Sequence, residues 1–217
     1  MARVKICGIR SLADMQIAVQ QGTDAIGVLV GNLHSSSDFV PANLAAEICE
    51  RTPPFVTSVL VTHLEDPDSV LALADTIPSA AVQLHSDITP ALIDTLRRAL
   101  APRKVIAKIG VEGPSAIERA RDLDQRVDAI VLDSVNRATD QVGGTGLTHD
   151  WSISSQIVKQ ISTPVILAGG LTPANVGSAI RQVHPWAVDV NSGVRNQAGF
   201  KDGDLIRAFI ETSKLLD

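Results

Sequence analysis

Short runs of apolar, often β-branched residues alternate with amphipathic segments along the whole of this 217-residue chain. Their length and their Val and Ile content are typical of buried parallel strands, which form nearly continuous apolar stretches. The predicted strands cover residues 4–7, 25–30, 55–61, 80–84, 104–109, 128–132, 164–167 and 187–190. Strands that alternate with helices predict a parallel sheet, because a parallel connection has to cross back over the sheet.

Helix signals occupy the segments between these strands. Ser11 is a predicted N-cap for a helix over 12–21, which Gly22 ends. Further helices are predicted to begin at Pro41, Pro67, Thr89-Pro90, Pro114, Asp150-Trp151, Pro173 and Asp202. Eight strand–helix pairs predict a single α/β domain over residues 1–217, a closed (β/α)8 or TIM barrel. A doubly wound open sheet is the alternative, but no dinucleotide-binding glycine motif follows the first strand.

Composition and charge argue against several classes of function. The net charge of -5 is spread along the chain and aromatic residues make up 3%, so a nucleic acid would find neither a basic stripe nor a stacking platform. No apolar run approaches the roughly 18 to 20 residues that span a bilayer, and the start lacks the apolar stretch of a signal peptide. Two cysteines cannot build a disulfide framework or, alone, a zinc site. We therefore expect a cytoplasmic protein with no nucleic-acid or membrane partner and no metal.

The first predicted strand ends in a candidate catalytic thiol. Because side chains alternate along a strand, Lys5 and Cys7 are predicted to point into the barrel while Val4 and Ile6 face the helices. A thiol reacts as its thiolate, and the ammonium of Lys5 would favour that form. A buried structural cysteine is the general alternative, but the carboxyl end of a strand favours catalysis. Cys49, on the second predicted helix, is interpreted as structural.

Three more polar residues lie in or at the ends of strands. Asp133 follows the sixth strand and precedes a long glycine-containing loop, which favours a catalytic role over a helix cap or a salt bridge. Asp189, flanked by two valines, is predicted to point inward and to need a partner such as Lys5 or a substrate hydroxyl. His85 ends the fourth strand, where a structural hydrogen bond and a ligand contact are both plausible interpretations.

Glycine-rich segments follow the last three strands. The loops after the seventh and eighth strands are the usual phosphate site of such barrels, because backbone N–H groups and a helix N-terminus converge there. The sequence therefore predicts a phosphate site at Gly169, Gly170, Asn191, Ser192 and Gly193. A third segment follows the sixth strand and comprises Gly143, Gly144, Thr145 and Gly146.

Eight short motifs follow one another in order along the chain. They are Lys5-Ile6-Cys7-Gly8-Ile9, Gln83-Leu84-His85, Leu132-Asp133-Ser134, Gly143-Gly144-Thr145-Gly146, Asp150-Trp151, Ala168-Gly169-Gly170-Leu171, Pro173-Ala174-Asn175-Val176 and Asp189-Val190-Asn191-Ser192-Gly193-Val194. Together they resemble the phosphoribosylanthranilate isomerase family over essentially the whole chain, as far as Lys201-Asp202 before the last helix.

The resemblance implies an isomerase of tryptophan biosynthesis that acts without a cofactor. Such enzymes convert N-(5′-phosphoribosyl)anthranilate into 1-(carboxyphenylamino)-1-deoxyribulose 5-phosphate by an Amadori rearrangement. It implies that Asp133 is the general acid that protonates the ring oxygen, that Cys7 is the general base that removes the C2′ proton, and that the loop at 143–146 closes over the substrate. For Asp133 to hold a proton at neutral pH, its pKa must rise above the usual value of about 3.9. Both monomers and homodimers are expected in such a family.

The chain departs from the family pattern at four positions. Asp38 stands where the family has an arginine that contacts the anthranilate carboxylate, and two carboxylates repel each other. Ser86 replaces a glycine, Arg10 a threonine and Arg195 a glutamate. Because both arginines lie near strand ends, either Arg10 or Arg195 is a candidate replacement for the missing cation.

Three functions are compatible with these residues. The default is the Amadori isomerisation of phosphoribosylanthranilate, a small phosphosugar substrate. The first alternative keeps the reaction but replaces anthranilate with a neutral or cationic aglycone, as Asp38 would favour. The second is a barrel that binds a phosphosugar without catalysis, against which the presence of Cys7 and Asp133 argues.

Overall fold

The strands of the chain close into a parallel barrel. The computed structural model describes residues 1–31, 37–136, 141–142 and 148–215. Within these residues, eight parallel strands form a closed barrel and follow one another around it in chain order. They are β1 (Arg3–Ile6), β2 (Ala25–Leu29), β3 (Thr57–Thr62), β4 (Ala81–Leu84), β5 (Lys104–Gly110), β6 (Ala129–Asp133), β7 (Val165–Leu167) and β8 (Ala187–Val190). The pairing of β8 with β1 closes the barrel, which confirms the predicted fold class over the open-sheet alternative.

A helix follows each strand. The described helices are α1 (Leu12–Gln20), α2 (Ala42–Arg51), α3 (Pro67–Thr76), α4 (Pro90–Leu100), α5 (Ser115–Leu123), α6 (Trp151–Gln160), α7 (Val176–Val183) and α8 (Gly203–Lys214). The predicted N-cap at Ser11 is confirmed, because its side chain accepts a hydrogen bond from the Asp14 N–H. The seventh helix was predicted to begin directly after Pro173, at Ala174, but it begins two residues later, at Val176. The Asn175 side chain bonds the Thr172 N–H and the Gly170 carbonyl, and these bonds hold a turn before α7.

The core has two apolar layers. The outer layer lies between the strands and the helices, and the inner layer fills the inside of the barrel. Val4 and Ile6 belong to the outer layer, between barrel and helices, as their alternation predicts. The inner layer includes Val59, Ile106 and Ile166, and Cys7 lies at its upper end. Small and branched side chains therefore plug the interior and leave the carboxyl ends of the strands to form a cavity.

The long segment after β6 contains some regular structure. Residues Val135–Asn136 pair with Gln141–Val142 as a short antiparallel ribbon, although no periodicity predicts one. The loop residues Gly144, Thr145 and Gly146 lie outside the described residues. In the part of the chain that the structure describes, no helix has the length and apolar character needed to cross a membrane.

Candidate active site

A cavity of about 250 Å³ opens at the carboxyl ends of the strands. It gathers side chains from the first half of the chain and from the last, because every parallel strand ends at the same rim. Most of the residues that the sequence singles out line it. These are Cys7, Asp38, His85, Asp133, Gly169, Gly170, Asp189, Asn191, Ser192, Gly193 and Arg195.

Lys5 lies beneath the cavity and is buried, with 3% of the residue exposed. Its Nζ atom lies 2.7 Å from Asp189 Oδ2 and 2.7 Å from Gln83 Oε1, so the structure places Lys5, one of the two partners considered for Asp189, in contact with it. Burial alone would lower the pKa of Lys5, but Asp189 and Cys7 outweigh it and the pKa is raised. Lys5 is therefore a fixed positive charge, held by a carboxylate and an amide.

Cys7 sits next to that charge, with its Sγ atom 3.7 Å from Lys5 Nζ. Burial raises the pKa of the thiol to about 11, and Asp189 adds to the rise, while Lys5 and Lys201 oppose it. The expected effect of Lys5 is thus present in direction, but burial is the larger influence. Gly27 of β2 makes the close approach possible, because a Cβ atom there would lie 2.7 Å from Sγ.

Asp133 ends β6 and faces the cavity from the side of His85. Its Oδ1 atom accepts a hydrogen bond of 2.7 Å from the Ser134 N–H, and its Oδ2 atom lies 3.5 Å from His85 Nε2. Burial raises the pKa of this carboxyl to about 6, and the negative charge of Asp189 contributes. The pKa rise that the sequence interpretation requires of a general acid is therefore present before any substrate binds.

The glycine loops after β7 and β8 pack tightly against their neighbours. A Cβ atom on Gly193 would lie 2.0 Å from the carbonyl oxygen of Leu171, and one on Gly169 would lie 2.6 Å from the Ser134 nitrogen. Gly169 and Gly170 both have positive φ angles, 80° and 62°, which favour glycine. Ser192 begins a 3₁₀ turn that ends at Val194. The loops after β7 and β8 therefore pack closely against each other and against the end of β6, and both line the cavity.

The Asn191 side chain forms hydrogen bonds with three other side chains. Its Nδ2 atom donates to Asp38 Oδ2 at 2.8 Å, and its Oδ1 atom accepts from Arg195 Nη2 at 2.7 Å and from Lys201 Nζ at 3.1 Å. Burial and the nearby Arg195 lower the pKa of Lys201 to about 8. Asn191 therefore fixes the polar wall of the cavity rather than offering its side chain to an anion. In the sequence, Lys201 was noted only as the end of the family resemblance and was not predicted to belong to this wall.

Asp38 and Arg195 form an ion pair across that wall. Arg195 Nη2 lies 2.6 Å from Asp38 Oδ1, and both side chains are largely buried. Arg195 Nε is buried and has no hydrogen-bond partner within the described residues. The two departures from the family pattern at positions 38 and 195 are thus in contact, although they lie 157 positions apart in the chain.

Arg10 lies apart from the cavity lining. Its Nη2 atom donates to the Gly199 carbonyl, and its guanidinium carbon lies 5.7 Å from the centroid of the Phe200 ring. These contacts hold the side chain over the loop before α8. Of the two candidate replacement cations, the structure brings Arg195 to the cavity and not Arg10.

Two aromatic residues of the cavity were missed at the level of sequence. His63 packs edge-on against Phe39, with ring centroids 5.2 Å apart, and lies 4.8 Å from the ring of His85. His63 directly follows β3, so its place at a strand end was the signal that could have found it. Among the described residues, no group of three or more His, Cys, Asp or Glu side chains could hold a metal ion.

Comparison with known proteins places this site in context. A family model for N-(5′-phosphoribosyl)anthranilate (PRA) isomerase matches residues 4–212. The N-(5′-phosphoribosyl)anthranilate isomerase 2 of Methanosarcina mazei is 45% identical over 98% of this chain and 94% of its own length.

Two solved structures are similar over the full length of both chains. One is a phosphoribosyl anthranilate isomerase in complex with reduced 1-(o-carboxyphenylamino)-1-deoxyribulose 5-phosphate, with a TM-score of 0.84 and 35% identity. The other shows monomers generated from the dimeric phosphoribosylanthranilate isomerase of Thermotoga maritima, with a TM-score of 0.84 and 33% identity.

Proposed function

The chain belongs to the N-(5′-phosphoribosyl)anthranilate isomerase family, and on that premise we propose how its own residues carry out the Amadori rearrangement of phosphoribosylanthranilate. The chain is an isomerase rather than a binding protein without catalysis. The observation that carries the assignment of roles is that Cys7 and Asp133 line one cavity, beside the glycine loops after β7 and β8. An acid, a base and an anion cradle are the groups that the reaction requires.

The substrate phosphate binds at Gly169, Gly170, Ser192 and Gly193. Both loops line the cavity, and the loops after the seventh and eighth strands of such barrels usually present backbone N–H groups to a phosphate. The ribose then extends from this end of the cavity toward Cys7 and Asp133. Asp189, whose Oδ1 atom has no hydrogen-bond partner within the described residues, is placed to accept a hydrogen bond from a ribose hydroxyl.

Asp133 supplies the first proton. Its carboxyl, with a pKa of about 6, donates to the furanose ring oxygen, and the C1′–O bond breaks as the nitrogen lone pair forms a protonated Schiff base. The carboxylate that remains accepts the hydrogen bond from the Ser134 N–H. Ring opening is thus driven by an acid that is still partly protonated near neutral pH.

Cys7 acts second, as the base at C2′. The thiol form predominates in the empty cavity because its pKa is about 11. The Schiff base is a cation, and a cation next to Sγ favours the thiolate over the thiol. Removal of the C2′ proton moves the C–H electron pair into a C1′–C2′ double bond, which neutralises the Schiff base. The enolamine then takes a proton at C1′ and loses the proton of its C2′ hydroxyl, which gives the ketone.

Arg195 binds the carboxylate of the anthranilate ring. Within the described lining of the cavity, Arg195 is the one Lys or Arg side chain. Asp38 holds the guanidinium in place through Nη2 and compensates part of its charge. The cation that binds the carboxylate thus comes from position 195, and the carboxylate at position 38 orients it.

An aglycone without a carboxylate is the second candidate, favoured by the negative charge of Asp38 at the same wall. Purified protein assayed on phosphoribosylanthranilate decides between the two. Steady turnover supports the first candidate, and Arg195→Ala then raises KM. If turnover is absent and Asp38→Arg creates it, the natural aglycone is a different amine.

We also propose a compartment and an assembly for the chain. Cys7 and Cys49 are both free, as a reducing cytoplasm would keep them, and the base must remain a thiol. The chain acts as a monomer or a homodimer, since every described group of the site comes from one chain. A light-scattering mass measurement separates the two assemblies.

A further inference from the structure

A chain of polar side chains crosses the floor of the cavity from Asp189 to Asp133. We call it the cross-barrel chain, and its members are Asp189, Lys5, Gln83, His85 and Asp133. Lys5 Nζ contacts both Asp189 Oδ2 and Gln83 Oε1 at 2.7 Å, and Gln83 Nε2 lies 3.0 Å from His85 Nδ1. His85 Nε2 lies 3.5 Å from Asp133 Oδ2. All five side chains are buried, so bulk water competes little for these bonds.

Lys5 determines the orientation of the Gln83 amide. A lysine ammonium has three N–H donors and no acceptor, so only an oxygen can face it at 2.7 Å. Asp189 keeps the ammonium charged, since it raises the pKa of Lys5 against the opposing effect of burial. The Gln83 oxygen therefore faces Lys5, and its NH2 group must face His85.

Gln83 in turn determines the tautomer of His85. An NH2 group can only donate, so Nδ1 must receive its hydrogen bond with a lone pair. The ring hydrogen of the neutral imidazole then sits on Nε2, the nitrogen that faces Asp133. The protonation of a histidine beside the candidate acid is thus set by a lysine two side chains away.

We propose that Gln83 is a positioning residue that keeps His85 in the Nε2–H tautomer, and that this N–H donates to the Asp133 carboxylate formed when the acid gives up its proton. No proton moves through His85; the bond only stabilises the charge on Oδ2, as the Ser134 N–H does on Oδ1. The separation of 3.5 Å is long for a hydrogen bond, and a bond of this kind shortens as the acceptor becomes charged. The catalytic half of this inference rests on the proposed function, whereas the tautomer does not.

The other charges around Asp133 cannot replace this bond. Asp189 raises the pKa of the Asp133 carboxyl, while Lys108 and Lys5 lower it through their charge. Lys5 bonds to Asp189 and Gln83, and Lys108 Nζ lies 3.7 Å from Asp87. His85 therefore contributes a hydrogen-bond donor directed at Asp133. A substitution that removes this donor can be distinguished from one that changes the charge around Asp133.

The tautomer is tested by long-range ¹H–¹⁵N NMR of protein labelled in the histidine rings. The signals of His85 are identified by their absence in His85→Gln, and His184→Gln, at a solvent-exposed histidine, serves as the control. We expect the Nε2–H pattern in the wild-type chain. We expect Gln83→Glu to place a hydrogen on Nδ1, because the substitution puts an acceptor oxygen where the NH2 group was. An Nδ1–H pattern in the wild-type chain, or no change in Gln83→Glu, overturns the proposal.

The catalytic role is tested by three substitutions at position 85. A glutamine amide reaches the place of Nε2, whereas an asparagine amide reaches only that of Nδ1. We expect His85→Gln to keep kcat within about threefold, and His85→Asn and His85→Ala to lower it about 10- to 100-fold with little change in KM. Equal loss in all three variants, with thermal unfolding unchanged, contradicts the role in catalysis.

The NMR and kinetic experiments together distinguish a failure of this inference from a failure of the proposed function. If wild-type protein fails to turn over phosphoribosylanthranilate, the proposed substrate is wrong, and NMR still decides the tautomer. If the wild-type chain is active and shows the Nε2–H tautomer, but His85→Asn equals His85→Gln in kcat, the substrate stands and the positioning role falls.

Discussion

The cavity has two halves that are built in different ways. The half that would hold the phosphosugar consists of strand-end residues and glycine loops, with Cys7 directly after β1, Asp133 at the end of β6 and the loops after β7 and β8. The half that would hold the aglycone is a side-chain network in which Asp38, Asn191 and Arg195 bond one another. The positions of the groups in the first half are determined by the barrel geometry. In the second half, charged residues can be exchanged between positions while the side chains keep their ion pair and hydrogen bonds. The halves should therefore affect different kinetic constants.

The largest effect is expected in the first half. Asp133→Asn and Cys7→Ala should each lower kcat by about 10²- to 10⁴-fold on phosphoribosylanthranilate, because each removes a proton-transfer group. KM should change little, since the phosphate loops stay intact. Steady-state kinetics measure both constants, and thermal unfolding serves as the control for folding. Full activity in both variants would remove the proposed roles.

The second half should respond in KM. Arg195→Ala should raise KM about 10- to 100-fold and leave kcat within a few-fold, because the lost bond is made to the substrate carboxylate before and after reaction. Arg195→Lys keeps the charge but not the fork geometry and should recover part of the loss. The double variant Asp38→Arg/Arg195→Glu keeps an ion pair between the two positions, and its kcat/KM should exceed that of either single variant. A kcat effect with unchanged KM would contradict this division of roles.

Glycine geometry in the first half provides a smaller, structural test. Gly193→Ala forces a Cβ atom against the Leu171 carbonyl and should lower the free energy of unfolding by about 1 to 3 kcal/mol. It should also weaken competitive inhibition by ribose 5-phosphate. Gly113→Ala is a matched control, because a Cβ atom there meets no described neighbour within 4 Å. Chemical denaturation measures the difference between the two, and equal stability would show that the loop has room.

The pH dependence of kcat/KM should report the two titrating groups of the first half. The productive form needs Asp133 protonated and Cys7 ionised, with pKa values of about 6 and about 11 in the free protein. Below pH 6 the acid is protonated, so kcat/KM should fall about tenfold per pH unit as the thiolate is lost. Between the two pKa values the gain of thiolate and the loss of acid cancel, which predicts a plateau. Asp133→Asn should abolish the break near pH 6, and a break that persists in this variant belongs to another group.

The residues of the first half could be predicted well from the sequence, whereas the contacts of the second half could not. Cys7, Asp133 and Asp189 could be placed because strand alternation and the shared rim of a parallel barrel determine where they point. The Asp38–Arg195 pair depends on how two distant loops meet, which no local pattern encodes. The raised pKa of Cys7 was also missed, because the effect of burial exceeds that of Lys5 only in the packed interior. His63 had a strand-end signal but no motif.

A complex of this chain with reduced 1-(o-carboxyphenylamino)-1-deoxyribulose 5-phosphate would test the two-half account most directly. The account predicts the phosphate against the backbone at Gly170 and Gly193, and the ring carboxylate on the guanidinium of Arg195. A crystal structure that places the carboxylate away from Arg195, or the phosphate at the Asp38 wall, would contradict it.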